Sequence, residues 1–360
     1  MQGNYDNYDF YQNSQDYYDT YVNEQLGSAK KTFSRVGLAL VAYLLASNVA
    51  VIIGQIIMIV LFGTDAANEL FYTNIYVTYA FNIVSQYIIA FPILYLVIRK
   101  LRPMRAQTSQ MSGKEFLIAF LISQAFMQLG SIIGEAINLS IGSVLGGEIT
   151  NDVSDMIMET PIWLIVLAVI IIGPIFEELI FRKIIFDRIS RFGTKTAIIV
   201  TAVAFGLFHG NLYQLFYATA LGLVLGFIYA KTRNVLYPIL MHMIINCLGT
   251  LPVLLLSESF EAVQEFLTKY MSGESFDIAV YYGDILIYGA YSFIINAMVI
   301  SGIIMFAVYL KNKKLNVPDI CDFKIPKGYA SSVTLANAGA IIFLVLAGLT
   351  IITNLVPAVY

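Results

Sequence analysis

Long apolar runs recur along this chain and alternate with short polar segments. A membrane-spanning helix needs about 20 predominantly apolar residues, and most of the runs reach that length. The pattern therefore predicts an all-α fold, a polytopic transmembrane helical bundle of about nine spans. Two short runs in the middle of the chain are expected to tilt or to form a tight helical pair that breaks at Gly210 and Asn211. The runs lie at residues 36–62, 72–98, 115–145, 161–183, 196–210, 213–230, 235–256, 281–310 and 332–354.

The composition points to the bilayer as the solvent of this chain. Hydrophobic residues make up 58% of the 360 residues and charged residues only 12%, against roughly 45–50% and 25% in an ordinary soluble protein. These values exclude a soluble enzyme, a disordered chain and a secreted disulfide scaffold. Cys247 and Cys321 lie far apart and predict no disulfide. A net charge of −3 gives no support to nucleic acid as a partner.

The distribution of basic residues gives an orientation for the spans. If the N-terminus is cytoplasmic and the runs alternate, 20 of the 21 Lys and Arg residues fall in or next to cytoplasmic segments, and only Lys269 does not. The opposite loops are acidic and include Glu148, Asp152 and Asp155. By the positive-inside rule we predict a multi-pass protein of the cell membrane, with the N-terminus cytoplasmic and the C-terminus external.

Four segments follow from this map. Residues 1–30 are rich in Tyr and Asn and are expected to be a disordered cytoplasmic tail. Residues 31–150 hold the first three transmembrane helices, and residues 151–256 hold the ionisable groups that stand in apolar surroundings. Residues 257–360 are an outer loop followed by the C-terminal transmembrane helices.

Charged side chains inside apolar runs are costly, at least about 2.5–3.5 kcal/mol each on insertion scales, and are therefore candidates for function. Glu177, Glu178 and Arg182 lie in the fourth run, His209 ends the fifth, and His242 lies in the seventh. The chain has only two histidines, and both belong to this group. Scattered core histidines would explain neither the paired glutamates nor the concentration of these groups in one stretch.

Helical spacing predicts how these side chains are directed. Glu178 and Arg182 are four residues apart, which places them on one helix face as an ion pair. Glu177 is rotated from Glu178 by about 100° and is left to face a cavity. His242 and Asn246 also share one face, where an imidazole and an amide stand together. Such groups suit peptide hydrolysis, which needs a base for water and donors for the oxyanion.

Three motifs on successive helices resemble those of the CAAX protease and bacteriocin-processing family of intramembrane endopeptidases, which includes the type II CAAX prenyl endopeptidases. The resemblance covers residues 161–250 and implies a helical bundle of about eight spans, one fewer than the runs predict, with a conical cavity that faces the cytosol. The motifs are Glu177-Glu178-x-x-x-Arg182, Phe205-x-x-x-His209 and His242-x-x-x-Asn246.

The resemblance also implies roles. Glu177 and His209 match the pair that activates the attacking water, and His242 and Asn246 match the pair that stabilises the oxyanion. Supporting roles fall to Glu178, Arg182 and Phe205. The implied enzyme is a glutamate protease without a metal or other cofactor. Its implied partners are a peptide or membrane-protein substrate and the membrane lipids.

Other interpretations stay open at this point. Glu177, His209 and His242 have the ligand types of a zinc site, although they come from three separate helices and no HExxH motif is present. A non-catalytic protein on the same scaffold, which confers bacteriocin immunity or regulates by binding, is a second hypothesis, and a transporter is a third. The Tyr-rich tail and the lack of organelle targeting favour a bacterial protein. Its substrate could then be a peptide pheromone, a bacteriocin leader or a membrane protein.

Overall fold

The computed structural model describes residues 3–147, 149 and 157–355, and for residues 3–16 it describes the backbone alone. Every regular element in these ranges is a helix, and the predicted all-α class is confirmed. The acidic positions Glu148, Asp152 and Asp155, predicted to lie in an outer loop, fall outside the described residues. So does the beginning of segment 151–256.

The helices of the described ranges follow the apolar runs closely. They are α1 (Gly3–Phe62), α2 (Thr64–Thr73), α3 (Ile75–Ile98), α4 (Gly113–Leu145), α5 (Ile162–Phe192), α6 (Thr194–Phe208), α7 (Leu212–Thr232), α8 (Leu236–Leu255), α9 (Ser257–Ser272), α10 (Ile278–Lys311), α11 (Ala330–Thr334) and α12 (Ala338–Thr353).

Seven of these helices, α1, α3, α4, α5, α7, α8 and α10, are long and apolar enough to cross a membrane, and α6 and α12 are shorter apolar helices. Together they account for the nine runs within the described residues. Their outward faces carry large apolar side chains, with Val60, Leu139 and Phe293 exposed by 77%, 67% and 75%. Lipid is the solvent that suits such faces, and the chain is therefore a polytopic membrane protein.

The N-terminal tail departs from the disorder that its composition predicted. Helix α1 begins at Gly3 and continues without a break into the first span. No proline interrupts residues 3–62, and Leu26 and Ala29 are already buried. Helix growth is cooperative, so a stable span allows further turns to be added at its end even where the residues are polar.

The described residues form two compact units, each assembled from distant parts of the chain. Unit 1 takes its residues from Met1–Ala106, Ile184–Val200 and Asp319–Leu349, and within it α1 packs along α3 and against α11. Unit 2 takes its residues from Gln107–Lys183, Thr201–Pro318 and Thr350–Tyr360, and within it α4 packs along both α7 and α10.

In unit 2, small residues bring α6 and α7 close together. A Cβ placed on Gly222 would lie 2.9 Å from the Cα of Ala202, so the two backbones are in direct contact. At the end of α6, Gly210 has a φ of +69°, a left-handed conformation that favours glycine. The side chain of Asn211 then accepts from the backbone N–H of Gln214 and begins α7. This tight turn holds the preceding His209 in a defined position.

In unit 1, the first backbone N–H of the short helix α6 is capped from a distant part of the chain. The N–H of Thr194 donates to Oδ1 of Asp319 over 3.0 Å. Oδ2 of Asp319 accepts from Nζ of Lys324 over 2.5 Å. This ammonium and the Thr194 N–H together hold the pKa of the Asp319 carboxyl below its usual value. The start of α6 is thus anchored by an ionised carboxylate.

Also in unit 1, α12 meets α1 at a glycine contact that we expect to be intolerant of any side chain. A Cβ on Gly339 would run into the backbone carbonyl of Ser34, whereas a Cβ on Gly348 of the same helix would meet open space. We expect Gly339→Ala to destabilise the protein by about 1–3 kcal/mol through overpacking. Gly348→Ala should leave the stability unchanged or slightly higher. The thermal unfolding midpoints of both variants in detergent check this expectation, and equal midpoints would contradict it.

Candidate active site

The centre of the site is a buried ion pair on α5. Nε of Arg182 lies 3.0 Å from Oε2 of Glu178, and both side chains are fully buried. The pairing that the four-residue spacing predicted is therefore confirmed. These two atoms form an ion pair but no hydrogen bond. Nη1 of Arg182 also has no hydrogen-bond partner among the described residues. Nη2 of Arg182 donates to the carbonyl of Gly222 on α7 over 3.5 Å.

Helix α5 is widened on both sides of the glutamate pair. Residues Val166–Ile172 and Leu179–Phe186 form π-helical turns, which occur frequently at functional sites. The N–H of Gly173 bonds to the carbonyl of Ala168, five residues back. In the same register Pro174 would serve the carbonyl of Val169, but proline has no N–H. The Val169 carbonyl therefore needs a donor from another helix.

His242 on α8 is held between the two carboxylates of α5. Its Nδ1 lies 3.1 Å from Oε1 of Glu178, and the residue as a whole is only 3% exposed. On the other side, its Nε2 lies 3.7 Å from Oε2 of Glu177, beyond hydrogen-bond distance. Glu178 thus binds Arg182 with one oxygen and orients His242 with the other.

Glu177 differs from Glu178 in its exposure. The Glu177 side chain is 24% exposed, whereas that of Glu178 is fully buried. Both oxygens of Glu178 contact buried partners, whereas part of the Glu177 side chain is open to its surroundings. The structure therefore gives the two adjacent glutamates different surroundings, in the direction that helix rotation predicted.

Phe205 links His209 to the ion pair and to His242 through ring contacts. The Phe205 ring lies edge-on to His209, with centroids 4.8 Å apart, and edge-on to His242 at 5.7 Å. The guanidinium of Arg182 lies over the same ring at 5.1 Å, within cation–π range. Nδ1 of His209 lies 2.8 Å from the carbonyl of Phe205. A carbonyl only accepts, so Nδ1 carries the hydrogen, and Nε2 of a neutral His209 is left with a lone pair.

Asn246 has a contact that the sequence analysis did not anticipate. Its Nδ2 donates to the carbonyl of Val169 over 2.9 Å, and so supplies the donor that Pro174 lacks. Asn246 therefore ties α8 to the widened part of α5. One amide hydrogen is used in this bond and one remains. A proline three residues before the glutamate pair was the sequence signal for this contact, because it removes a backbone donor in a segment where water is scarce.

The three side chains named for a zinc site, those of Glu177, His209 and His242, do not form one cluster of ligands in this structure. Across residues 3–147, 149 and 157–355, no three His, Cys, Asp or Glu side chains converge in a way that would hold a metal ion. Oε2 of Glu177 and Nε2 of His242 lie 3.7 Å apart, and Nδ1 of each imidazole faces a protein acceptor, which leaves Nε2 as the free nitrogen of both rings.

The structure thus brings Glu177, Glu178, Arg182, His242 and Phe205 into one contiguous cluster. His209 joins it through the Phe205 ring, and Asn246 borders it through Val169. Sequence reasoning missed the carbonyl of Gly222, which helps to hold Arg182. In the sequence, only the small residues of α6 and α7 indicated that the backbone of α7 could come close enough to contact Arg182.

The comparisons with known proteins match the part of the chain that contains this cluster. The family model for type II CAAX prenyl endopeptidase Rce1-like proteins matches residues 159–248, a stretch that contains all three motifs. A protein of Bacillus subtilis (strain 168), "Putative membrane peptidase YdiL", is 31% identical over 166 residues, which are 45% of this chain and 67% of the relative. The chain belongs to the CAAX protease and bacteriocin-processing family. No solved structure matches the chain.

Membership of the CAAX protease and bacteriocin-processing family assigns the chain to a class of membrane peptidases. The family match ends two residues after Asn246 and begins shortly before α5. Helices α5 to α8 are therefore the part of the chain that is shared with the family model. The remaining helices lie outside the matched residues.

Proposed function

We propose that this protein is an intramembrane endopeptidase that hydrolyses a peptide bond of a membrane-associated or peptide substrate. The observation that carries the proposal is the unequal pair of glutamates around His242. Glu178 is buried and bound, whereas Glu177 is partly exposed beside the same ring. A single accessible carboxylate next to an oriented imidazole is a suitable arrangement for activating water.

In the proposed reaction, Glu177 and His209 act on the attacking water. Glu177 takes a proton from the water, and the lone pair on Nε2 of His209 accepts a hydrogen bond from it. The resulting hydroxide attacks the carbonyl carbon, and the π electrons of the C=O bond move to the oxygen. When the tetrahedral species collapses, the C–N bond breaks and Glu177 returns the proton to the leaving nitrogen. The products are a carboxylic acid and an amine, and the acid then loses its proton to the surrounding water.

His242 and Asn246 are the proposed donors to the oxyanion. Because Nδ1–H of His242 bonds to the ionised Glu178, Nε2 can donate only when the ring is protonated. The proposed reaction therefore uses His242 in its protonated form. The second amide hydrogen of Asn246 is the other donor. Removal of one such donor typically lowers kcat by about 10²–10³-fold.

Incorporation of ¹⁸O from labelled water tests hydrolysis directly. The purified protein, incubated with peptides derived from membrane proteins, should produce new C-termini that carry one ¹⁸O atom in mass spectrometry. Cleavage should persist after exhaustive chelation, because the proposed base is a carboxylate. Activity that chelation abolishes and Zn²⁺ restores would contradict the metal-independent mechanism. A complete lack of cleavage by protein that is folded and inserted in the membrane would favour the non-catalytic binding hypothesis.

We further propose that the N-terminus is cytoplasmic and the C-terminus external, so that the site opens towards the cytosol. The asymmetry of Lys and Arg supports this orientation. A reporter enzyme fused after residue 107, 190 or 320 should be active on the cytoplasmic side, and one fused after residue 70 or 270 on the external side. An external signal after residue 190 would reverse the orientation of α5 and contradict a site that faces the cytosol.

A further inference from the structure

A cavity of about 380 Å³ in unit 1 has an unusual concentration of arginine. None of its lining residues belongs to the proposed active site. Three are arginines and one is a carboxylate: the lining consists of Arg102, Pro103, Met104, Arg105, Arg191 and Asp322. A volume of this size lies at the lower end of the range for small-molecule sites and suits a compact polar group better than a peptide.

Backbone hydrogen bonds between three separate segments build the cavity. The N–H of Met104, in the segment after α3, donates to the carbonyl of Asp187 near the end of α5 over 2.6 Å. The carbonyl of Arg191 accepts from the N–H groups of both Asp322 and Phe323, at 2.9 and 3.0 Å. The C-terminal ends of α3 and α5 and the segment after α10 are therefore fixed to one another within unit 1, and the cavity is preformed.

Positive charge in the cavity exceeds negative charge. Nη2 of Arg191 pairs with Oδ2 of Asp322 over 2.8 Å. Nε of Arg191 is buried and has no hydrogen-bond partner among the described residues. Arg102 and Arg105 are exposed, and neither forms an ion pair with a described residue. Two unpaired guanidinium groups and one buried N–H donor without a partner thus surround a space that holds one carboxylate, and they would complement an anion with several acceptor oxygens.

We propose that this cavity binds a phosphate group. Guanidinium groups match the oxygens of phosphate in a bidentate geometry, and arginine is favoured over lysine for such recognition. The cavity lies beside the C-terminal ends of α3 and α5, two helices that are long and apolar enough to cross a membrane, and we expect the phosphates of a bilayer near such ends. An anionic phospholipid headgroup and a soluble phosphate ester share this chemistry, and the experiment separates the two sources.

The full-length protein, delipidated in detergent, should be titrated with phosphatidylglycerol, with diacylglycerol of the same acyl chains, and with glycerol phosphate. Phosphatidylglycerol should bind and diacylglycerol should not. The double variant Arg102→Gln/Arg105→Gln should bind phosphatidylglycerol about tenfold or more weakly, because charge-assisted hydrogen bonds are lost. The matched control Lys30→Gln/Lys31→Gln removes two exposed charges from the same unit, and should bind within about twofold of the wild type.

Asp322→Asn gives an effect of opposite sign. It removes the carboxylate from the lining and frees Arg191, while the amide oxygen can still accept a hydrogen bond, so phosphate should bind more tightly. Tighter binding by Asp322→Asn, with weaker binding by the double arginine variant, would establish the site even if the latter proves less stable in thermal unfolding. Equal weakening in both double variants, or weaker binding by Asp322→Asn, would overturn the proposal.

Binding of glycerol phosphate with the same dependence on arginine would identify a soluble ester, and binding of the lipid alone would identify a headgroup.

Discussion

Glu177→Gln is expected to lower the rate of peptide hydrolysis by about 10²–10⁴-fold without reducing the amount of folded protein in the membrane. The change keeps the size of the side chain and its capacity for hydrogen bonding but removes the base, and general-base catalysis contributes a factor of this order. The Glu177 side chain is partly exposed and lies 3.7 Å from His242, so a neutral amide can be accommodated there. Initial rates of ¹⁸O-dependent cleavage, with membrane accumulation measured in parallel, check the prediction.

Glu135→Gln is the matched control for this variant. Glu135 is another glutamate within a span, on α4, and its side chain is exposed. The same chemical change at this position should leave the rate of cleavage as in the wild type. If Glu177→Gln cleaves normally while Glu178→Gln is well folded and inactive, the base has been assigned to the wrong carboxylate.

Arg182→Met is expected to be the most destabilising substitution in the site, with a cost of about 3–5 kcal/mol. Removal of one member of a buried ion pair leaves the other charge without compensation, and this penalty is of that order. Arg182 is fully buried, and its guanidinium pairs with Glu178 and lies over the Phe205 ring. We expect poor accumulation in membranes and a much lower unfolding midpoint in detergent.

A second substitution separates the lost charge from the lost packing. In Glu178→Gln/Arg182→Met no charge is left uncompensated, and the amide oxygen of Gln can still accept from Nδ1 of His242. This double variant should therefore be more stable than Arg182→Met alone. Lys183→Met removes a neighbouring exposed basic residue of the same helix and is the control. Equal stability of Arg182→Met and Lys183→Met would show that the buried pair contributes nothing measurable.

The sequence by itself determined the features that arise within single helices. In lipid, a helix satisfies its own backbone hydrogen bonds, so the length of an apolar run is sufficient to place a span. The nine runs therefore correspond closely to helices within the described residues. The pairing of Glu178 with Arg182 and the separate direction of Glu177 follow from the helical period alone. The N-terminal tail is the exception, because composition does not reveal that a span extends its helix backwards.

The tertiary structure alone decided which groups meet across helices. His242 contacts Glu178 although 64 residues separate them, and Asn246 donates to Val169 over a separation of 77 residues. Such contacts depend on the relative rotation and closeness of helices. Small residues such as Gly222 and the π-helical turn of α5 before Pro174 set both. The arginine cavity has the same origin, because its lining comes from three chain segments that only backbone hydrogen bonds bring together. Local periodicity carries no information about these distances, since each depends on how neighbouring helices pack.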